Sequence, residues 1–339
     1  MASYFVIPVF IAHQGCPHQC LFCNQHRITG SSSAAMTAAL VEEEIRRWLA
    51  RPRRNSAAVV QVAFYGGSFT GLPIELQQEL LGAVQPFIRA GLVQEIRLST
   101  RPDYIDGAIV DFLKKSQVRL VELGTQSLDD EVLEASGRGH TAGQSEEAVR
   151  CLRSRGLEVG IQLMIGLPGD TTAKALATVR RTIALAPDLV RIYPTLVIKG
   201  SPLAALYAQG RYFPLTMNRA VALAARMKGL FEQSGIVVAR IGLQPAPSLE
   251  EGLLAGPYHP AFGELVLSRL LFKQARRVLA AAHNGQKKKL VIAATDESVF
   301  RGQGNRNITR LAGLGLLDEV EIVFDKNQPR QSVDLQAVL

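Results

Sequence analysis

The chain has 339 residues, 47% of them hydrophobic, and a formal net charge of +8. That size allows one or two domains with a sizeable core. No apolar run approaches the roughly 20 residues of a membrane span, and four cysteines are too few for a disulfide framework.

The N-terminal "YFVIPVFIA" lacks a positively charged lead-in and a good cleavage site, so it is expected to be a buried strand of a cytoplasmic protein rather than a signal peptide. Strand-like runs are predicted at 4–11, 58–65, 95–100, 118–124, 157–166, 189–195 and 235–241. Helical patterns lie between them, around 37–50, 74–89, 105–115, 142–155, 172–184 and 217–234. Such alternation predicts a parallel sheet with right-handed crossovers: a full or partial TIM-type (β/α) barrel over residues 1–242. From about 243 the rhythm changes. "LQPAPSLEEGLLAGPYHPAFG" reads as a linker or irregular lid, followed by a helix at 263–282, a strand in "KKKLVIAATDESVF", a short helix and a final "EVEIVF" strand. Residues 243–339 are thus expected to form a small C-terminal α+β extension. Its segment 269–310 holds ten Lys/Arg against Asp296 and Glu297, a block suited to phosphates or merely to solvent.

In a barrel of this kind the chemistry sits at the C-terminal ends of the strands. The unusual sequences fall there: "GCPHQCLFCNQ" after the first strand, "GGSFTG" after the second, "STRPD" after the third, "GTQS" after the fourth and "GLPGD" after the fifth. Cys16, Cys20 and Cys23 have the spacing C-x3-C-x2-C. A zinc site would need one of His13, His18 or His26 as a fourth ligand, and no second Cys/His pair follows. A [4Fe–4S] cube is the other reading: three thiolates hold three irons and leave one open. Cys151, inside an amphipathic helical pattern, reads as a small buried apolar residue.

The cysteine spacing, with Phe22 just before the third cysteine, resembles the signature of the radical S-adenosylmethionine (radical SAM) superfamily. "FYGGSFTGLP", "STRPDYID", "VELGTQSLDDEVLEASGRGHT", "GLPGD" and "RIYPTLVIKGSPLAALYAQGRY" resemble more narrowly the radical SAM portion of the elongator protein 3 family, over roughly residues 5–241. The resemblance implies a [4Fe–4S] cluster on Cys16, Cys20 and Cys23, with S-adenosylmethionine on the open iron. An electron reaching the sulfonium would yield a 5′-deoxyadenosyl radical that abstracts hydrogen from a substrate. It also implies a SAM site. Gly66 and Gly67 would bring backbone carbonyls to the SAM ammonium, with Ser68 and Thr100 in the same turns. Arg101 would fork onto its carboxylate, and Gln126 and Gln162 would reach ribose or adenine. His140, Tyr193 and Lys199 are candidates for substrate contact, against a loop cap, barrel packing and a solvated amine. The substrate implied is a tRNA wobble uridine, with segment 269–310 as the RNA contact and an electron donor as a further partner. No Gly-rich pyrophosphate loop is recognisable after position 241, which puts acetyl-CoA use in doubt and leaves open whether a partner protein supplies acyl chemistry. A radical SAM enzyme on a small molecule or peptide, and a zinc-stabilised RNA-binding protein, are the alternatives.

Overall fold

The computed structural model describes residues 4–11, 14–16, 20–24, 36–53, 55–281 and 287–337. Seven strands form one sheet: β1 (Tyr4–Phe10), β2 (Val59–Tyr65), β3 (Glu95–Thr100), β4 (Val118–Gln126), β5 (Glu158–Ile165), β6 (Leu189–Pro194) and β8 (Val237–Ile241). They lie side by side in that order, and every neighbouring pair is parallel. β1 and β8 are the two ends of that order, so the barrel is partial rather than full.

Helices return the chain between strands: α1 (Ala38–Leu49), α2 (Ile74–Arg89), α3 (Gly107–Lys115), α4 (Asp130–Ala135), α5 (Ala142–Ser154), α6 (Thr172–Ala184), α7 (Pro202–Ala208) and α8 (Met217–Gln233). Side chains set where most of them start. Thr37, Asp106, Asp129, Thr141, Thr171 and Thr216 each accept a hydrogen bond from a backbone N–H of the first turn.

Strand residues alternate between two faces. Val60, Val62 and Phe64 of β2, Ile96 and Leu98 of β3, Val121 and Leu123 of β4, Val159, Ile161, Leu163 and Ile165 of β5, and Val190 and Ile192 of β6 are buried under the helices in one continuous core. The intervening positions face the lumen, and many of them are polar: Gln61 and Tyr65, Arg97 and Ser99, Glu122, Gln162, Arg191 and Tyr193.

Past β8, the "linker" contains α9 (Pro247–Gly252) and β9 (Leu253–Ala255). β9 pairs antiparallel with β7 (Val197–Ile198), a two-residue strand too short to see in the sequence. The long helix α10 (Phe262–Ala280) is shared by two cores. Phe262 and Val266 enter the barrel core, whereas Leu271, Phe272, Ala275 and Leu279 enter a second one. That second core lies under a three-stranded sheet of β11 (Val320–Asp325), β10 (Lys288–Ala293) and β12 (Val333–Ala337), with α11 (Glu297–Arg301) and α12 (Arg306–Gly313) in its connections. No described helix is long and apolar enough to cross a membrane.

Candidate active site

The cysteine segment stands on an interlocked backbone foot. Ile11 N–H donates to the Tyr65 carbonyl at 2.8 Å and Ser68 N–H to the Gln14 carbonyl at 3.0 Å. A Cβ on Gly67 would lie 2.4 Å from the Ile11 oxygen, one on Gly15 2.1 Å from the Ser68 oxygen, and one on Gly71 2.2 Å from the Gly15 oxygen. Gly67 is therefore required for the approach of the cysteine segment itself, whatever its carbonyl meets. Gly15 also has φ +72°, a conformation that favours glycine. Beyond the foot, Cys23 N–H closes a turn onto the Cys20 carbonyl at 3.0 Å. That turn is clamped on both sides: Leu21 N–H donates to the Ser136 carbonyl at 3.1 Å and Leu203 N–H to the Leu21 carbonyl at 2.8 Å. Cys20 and Phe22 share a small apolar cluster with Val132, Leu167, Val197 and Leu203, so Phe22 anchors the turn by burial.

Arg138, between two glycines with positive φ (Gly137 and Gly139), reaches Cys20. Its Nη1 donates to Cys20 Sγ at 3.0 Å and its Nη2 to the Gly124 carbonyl. Sequence reasoning missed this residue. Its only signal was an arginine between glycines in "SGRGHT", and His140 drew attention instead. His140 is 5% exposed. Burial, then the nearby Arg138 and Arg101 cations, push its pKa down to about 3 against the pull of Asp103, so the imidazole is neutral. Apart from a weak approach to the Thr125 backbone, neither ring nitrogen makes a well-formed hydrogen bond. Burial and the neighbouring Cys20 hold the Cys16 thiol above its ordinary pKa, opposed by Arg138 and Arg101.

The other expected site residues divide. Arg101 is buried, and its fork is occupied by Asp103, with Nε–Oδ1 and Nη2–Oδ2 both at 2.9 Å. Ser68 and Thr100 turn toward each other at 3.0 Å, and Thr70 Oγ1 meets Thr100 Oγ1 at 2.6 Å. These hydroxyls tie the end of β2 to the end of β3. Gln126 has φ +67° at a register shift between β4 and β5, an unusual backbone state that turns its amide back over Gly124 beside Arg138. Gly66, at φ +87°, makes the turn out of β2. Lys199 has an exposed side chain, and its carbonyl accepts from Asn24 Nδ2 at 3.0 Å. The residues brought together at the strand ends are thus Cys16, Cys20, Arg101, Gln126, Arg138 and His140.

Beneath them lies the polar lumen. Glu122 is fully buried and takes Arg97 on Oε1 and Arg191 Nε on Oε2 at 2.5 Å. Gly160 opposes it across the sheet, and a Cβ there would sit 2.9 Å from Glu122 Cγ. Arg97 Nη1 also donates to Gln61 Oε1 at 3.0 Å, and Arg191 Nη2 to the Tyr65 hydroxyl at 3.2 Å. Burial opposes the Arg191 cation, but Tyr193, Glu122 and Tyr65 outweigh it and its pKa is raised. Burial and Glu122 push the Tyr65 phenol up to about 12, and burial raises Tyr193, so both are neutral. Gln162 Nε2 donates to Ser99 Oγ at 3.2 Å, inside this network.

The donor set fits an iron–sulfur cluster with an anionic cofactor group beside it. Soft thiols are grouped with guanidinium donors. Buried polar atoms without partners gather at the same end of the strands: Arg138 Nε, Thr125 Oγ1, Ser136 Oγ and the His140 ring. Among the described residues no three His, Cys, Asp or Glu form a group that could hold a single metal ion. His13, His18 and His26, the possible fourth zinc ligands, lie outside the described residues.

A parallel partial barrel with a cysteine loop after its first strand defines the class, and the chain belongs to the radical SAM superfamily. That family's model matches residues 10–182, and the Radical_SAM C-terminal domain matches residues 187–271. It is an enzyme family, and a [4Fe–4S] cluster and S-adenosylmethionine are what the family implies. More particularly, the chain is similar to an uncharacterized protein of Methanocaldococcus jannaschii (26% identical over 227 residues, 65% of this chain and 69% of the other). It is also 26% identical over 262 residues to the tRNA uridine(34) acetyltransferase of that organism, covering 66% of this chain and 48% of the relative. The chain thus spans about half the length of that acetyltransferase. Among solved structures, archaeal Elp3 from Methanocaldococcus infernus shares the fold, with a TM-score of 0.64 at 22% identity over 80% of this chain and 64% of that one.

Proposed function

We propose that this chain is a radical SAM enzyme that modifies tRNA, at a uridine of the wobble type. The observation that carries the enzymatic part is the grouping of Cys16 and Cys20 with Arg138, Arg101 and the neutral His140 at the C-terminal ends of the strands, above a polar lumen. The relatives that act on tRNA uridine support the substrate.

Cys16, Cys20 and Cys23 would hold the cluster as thiolates. When bound, the cluster and S-adenosylmethionine supply a radical able to abstract hydrogen from an unactivated carbon. The chain's own residues do the rest. Arg138 donates to the Cys20 sulfur and places a positive charge beside it. Arg101, kept in place by Asp103, adds a second cation on the same side, where the carboxylate of a bound S-adenosylmethionine would be stabilised. His140, neutral near pH 7, offers one donor and one acceptor without adding charge. The apolar cluster around Phe22 and Leu203 shields the Cys20 turn from water.

The test is anaerobic reconstitution with iron and sulfide, reduction with dithionite, and assay of 5′-deoxyadenosine. Formation of 5′-deoxyadenosine is expected from the wild type, and loss of the iron–sulfur absorption from Cys16→Ala, Cys20→Ala or Cys23→Ala. A well-loaded protein that yields no 5′-deoxyadenosine would overturn the reading. Modified nucleosides in total tRNA, compared with and without the gene, test the substrate: no difference at any uridine would remove tRNA from it.

A further inference from the structure

The ten cations of segment 269–310 are not equivalent. Lys289 lies 3.7 Å from Glu321, and Arg301 Nε donates to Glu297 Oε1 at 2.8 Å while its guanidinium also covers the Phe324 ring. Arg310 is stacked over Phe272, 4.2 Å from the ring centroid. Along α10 the situation differs. Phe262, Val266, Arg269, Lys273 and Arg276 follow the spacing of a single helical stripe. The stripe is apolar where it enters the barrel core and turns basic further along. α10 also packs against α8, which contributes Arg226. Arg226, Lys273 and Arg276 are exposed, and among the described residues none of these three or Arg269 has a carboxylate partner. Arg269 Nε is buried with no hydrogen-bond partner. Partial burial, then Arg269, Arg276 and Arg226, lower the Lys273 pKa, and no acid offsets them. Glu232, an acid further along the same seam, is already held by Lys228.

Four cations gathered with no counter-charge repel one another, and the arrangement is stabilised by an anion that bridges them. We propose that the α8–α10 seam, through Arg226, Arg269, Lys273 and Arg276, is the surface that grips the sugar–phosphate backbone of the RNA. This rests on the tRNA reading above and names its docking face. α10 starts beside the end of β8, where a Cβ on Gly242 would touch Phe262 at 2.9 Å. Lys273 lies eleven residues further along, about 16 Å down the helix axis. The seam is therefore on the flank of the barrel and not at its mouth. A long, folded RNA can hold the flank while one nucleotide reaches the strand ends; a mononucleotide cannot. This favours RNA over a small phosphate ligand.

The test is binding of transcribed tRNA to the full-length protein by fluorescence anisotropy, between 50 and 200 mM salt. Arg226→Glu/Lys273→Glu/Arg276→Glu is expected to weaken binding at least tenfold. It should also lower the slope of log affinity against log salt by roughly 2–3, since each lost phosphate contact is worth about 0.9. Lys287→Glu/Lys288→Glu/Lys289→Glu should change both less. Melting temperature checks folding, and the milder Lys273→Gln/Arg276→Gln should move the slope in the same direction if the triple variant does not fold. If the wild type binds tRNA but the seam variants match the strand variants, the surface is wrong and the tRNA reading stands. A wild type with no affinity for tRNA removes both. Preferential sedimentation with phosphatidylserine vesicles over tRNA binding would assign the seam to a membrane surface and overturn the proposal.

Discussion

The two faces of the seven-stranded sheet are built from the same strands and serve opposite ends. On the outer face Phe64, Leu98, Val121, Ile161 and Ile192 are packed under helices and can be exchanged only at the expense of core volume. On the lumen face, one residue along each strand, stand Tyr65, Arg97, Glu122, Gln162 and Arg191, joined by directed contacts. An apolar lumen would fold at least as well, because burying two guanidiniums and a carboxylate carries a desolvation cost that their attraction barely offsets. The difference supports placing the proposed function on the inner face: the outer face holds the sheet, and the inner one fixes polar groups that packing alone does not require.

Four substitutions bear on this contrast, from the largest expected effect to the smallest. Phe64→Ala on the outer face should cost about 3–5 kcal/mol in denaturant unfolding of the metal-free protein, from lost burial and the cavity left beside Phe69. A loss under about 1 kcal/mol would mean that this face is not the main support of the fold. Glu122→Gln should cost about 3–4 kcal/mol, since two buried guanidiniums lose their counter-charge. Replacing all three as Arg97→Met/Glu122→Leu/Arg191→Met should recover most of that loss. Failure of the triple variant to recover would make the lumen network part of the scaffold, and the contrast would collapse.

The third effect depends on pH. The folded His140 pKa, near 3, lies below the ordinary value of 6.5. Between those values the unfolded chain binds a proton that the folded one does not. Stability is thus full above pH 6.5 and falls on acidification, by about 2 kcal/mol at pH 5. His140→Gln should flatten that part of the profile in melts of the metal-free protein. The charged groups facing the ring are Arg138, Arg101 and Asp103. An unchanged slope would mean that the ring titrates as if exposed. The smallest effect belongs to the surface: Glu42→Ala, which removes the exposed pair with Arg46, should cost only about 0.3–0.5 kcal/mol.

Much of the outer face could be read from the sequence. Runs such as "VVQVAFY" and "LEVGIQLMI" fix strand length, and turn residues fix the ends, so each of the seven barrel strands lies within about two residues of its predicted bounds. The polar face was not legible, because a charged residue in a strand looks the same whether it meets solvent or a lumen. Arg97 and Glu122 come from different strands, and their meeting depends on register. Arg138 likewise depends on where α4 ends. Gly67 reads from the sequence as a point of ligand approach; a Cβ there would also collide with the Ile11 and Gln14 carbonyls, a packing constraint that depends on the fold. The pair of β7 and β9 is too short to leave a periodic signal, and β9 hid inside an apparent linker.

The backbone foot formed by Gly15, Gly67 and Gly71 also bears on how the enzyme matures. Its contacts involve main-chain atoms alone, so they form when the barrel folds and need no iron. If Cys16 ligates the cluster as proposed, the foot would hold that thiol in place beforehand, and capture of a first iron there would carry little ordering entropy. A side chain at any of the three glycines would force this foot apart and, on the proposed reading, would show as slow, incomplete cluster loading.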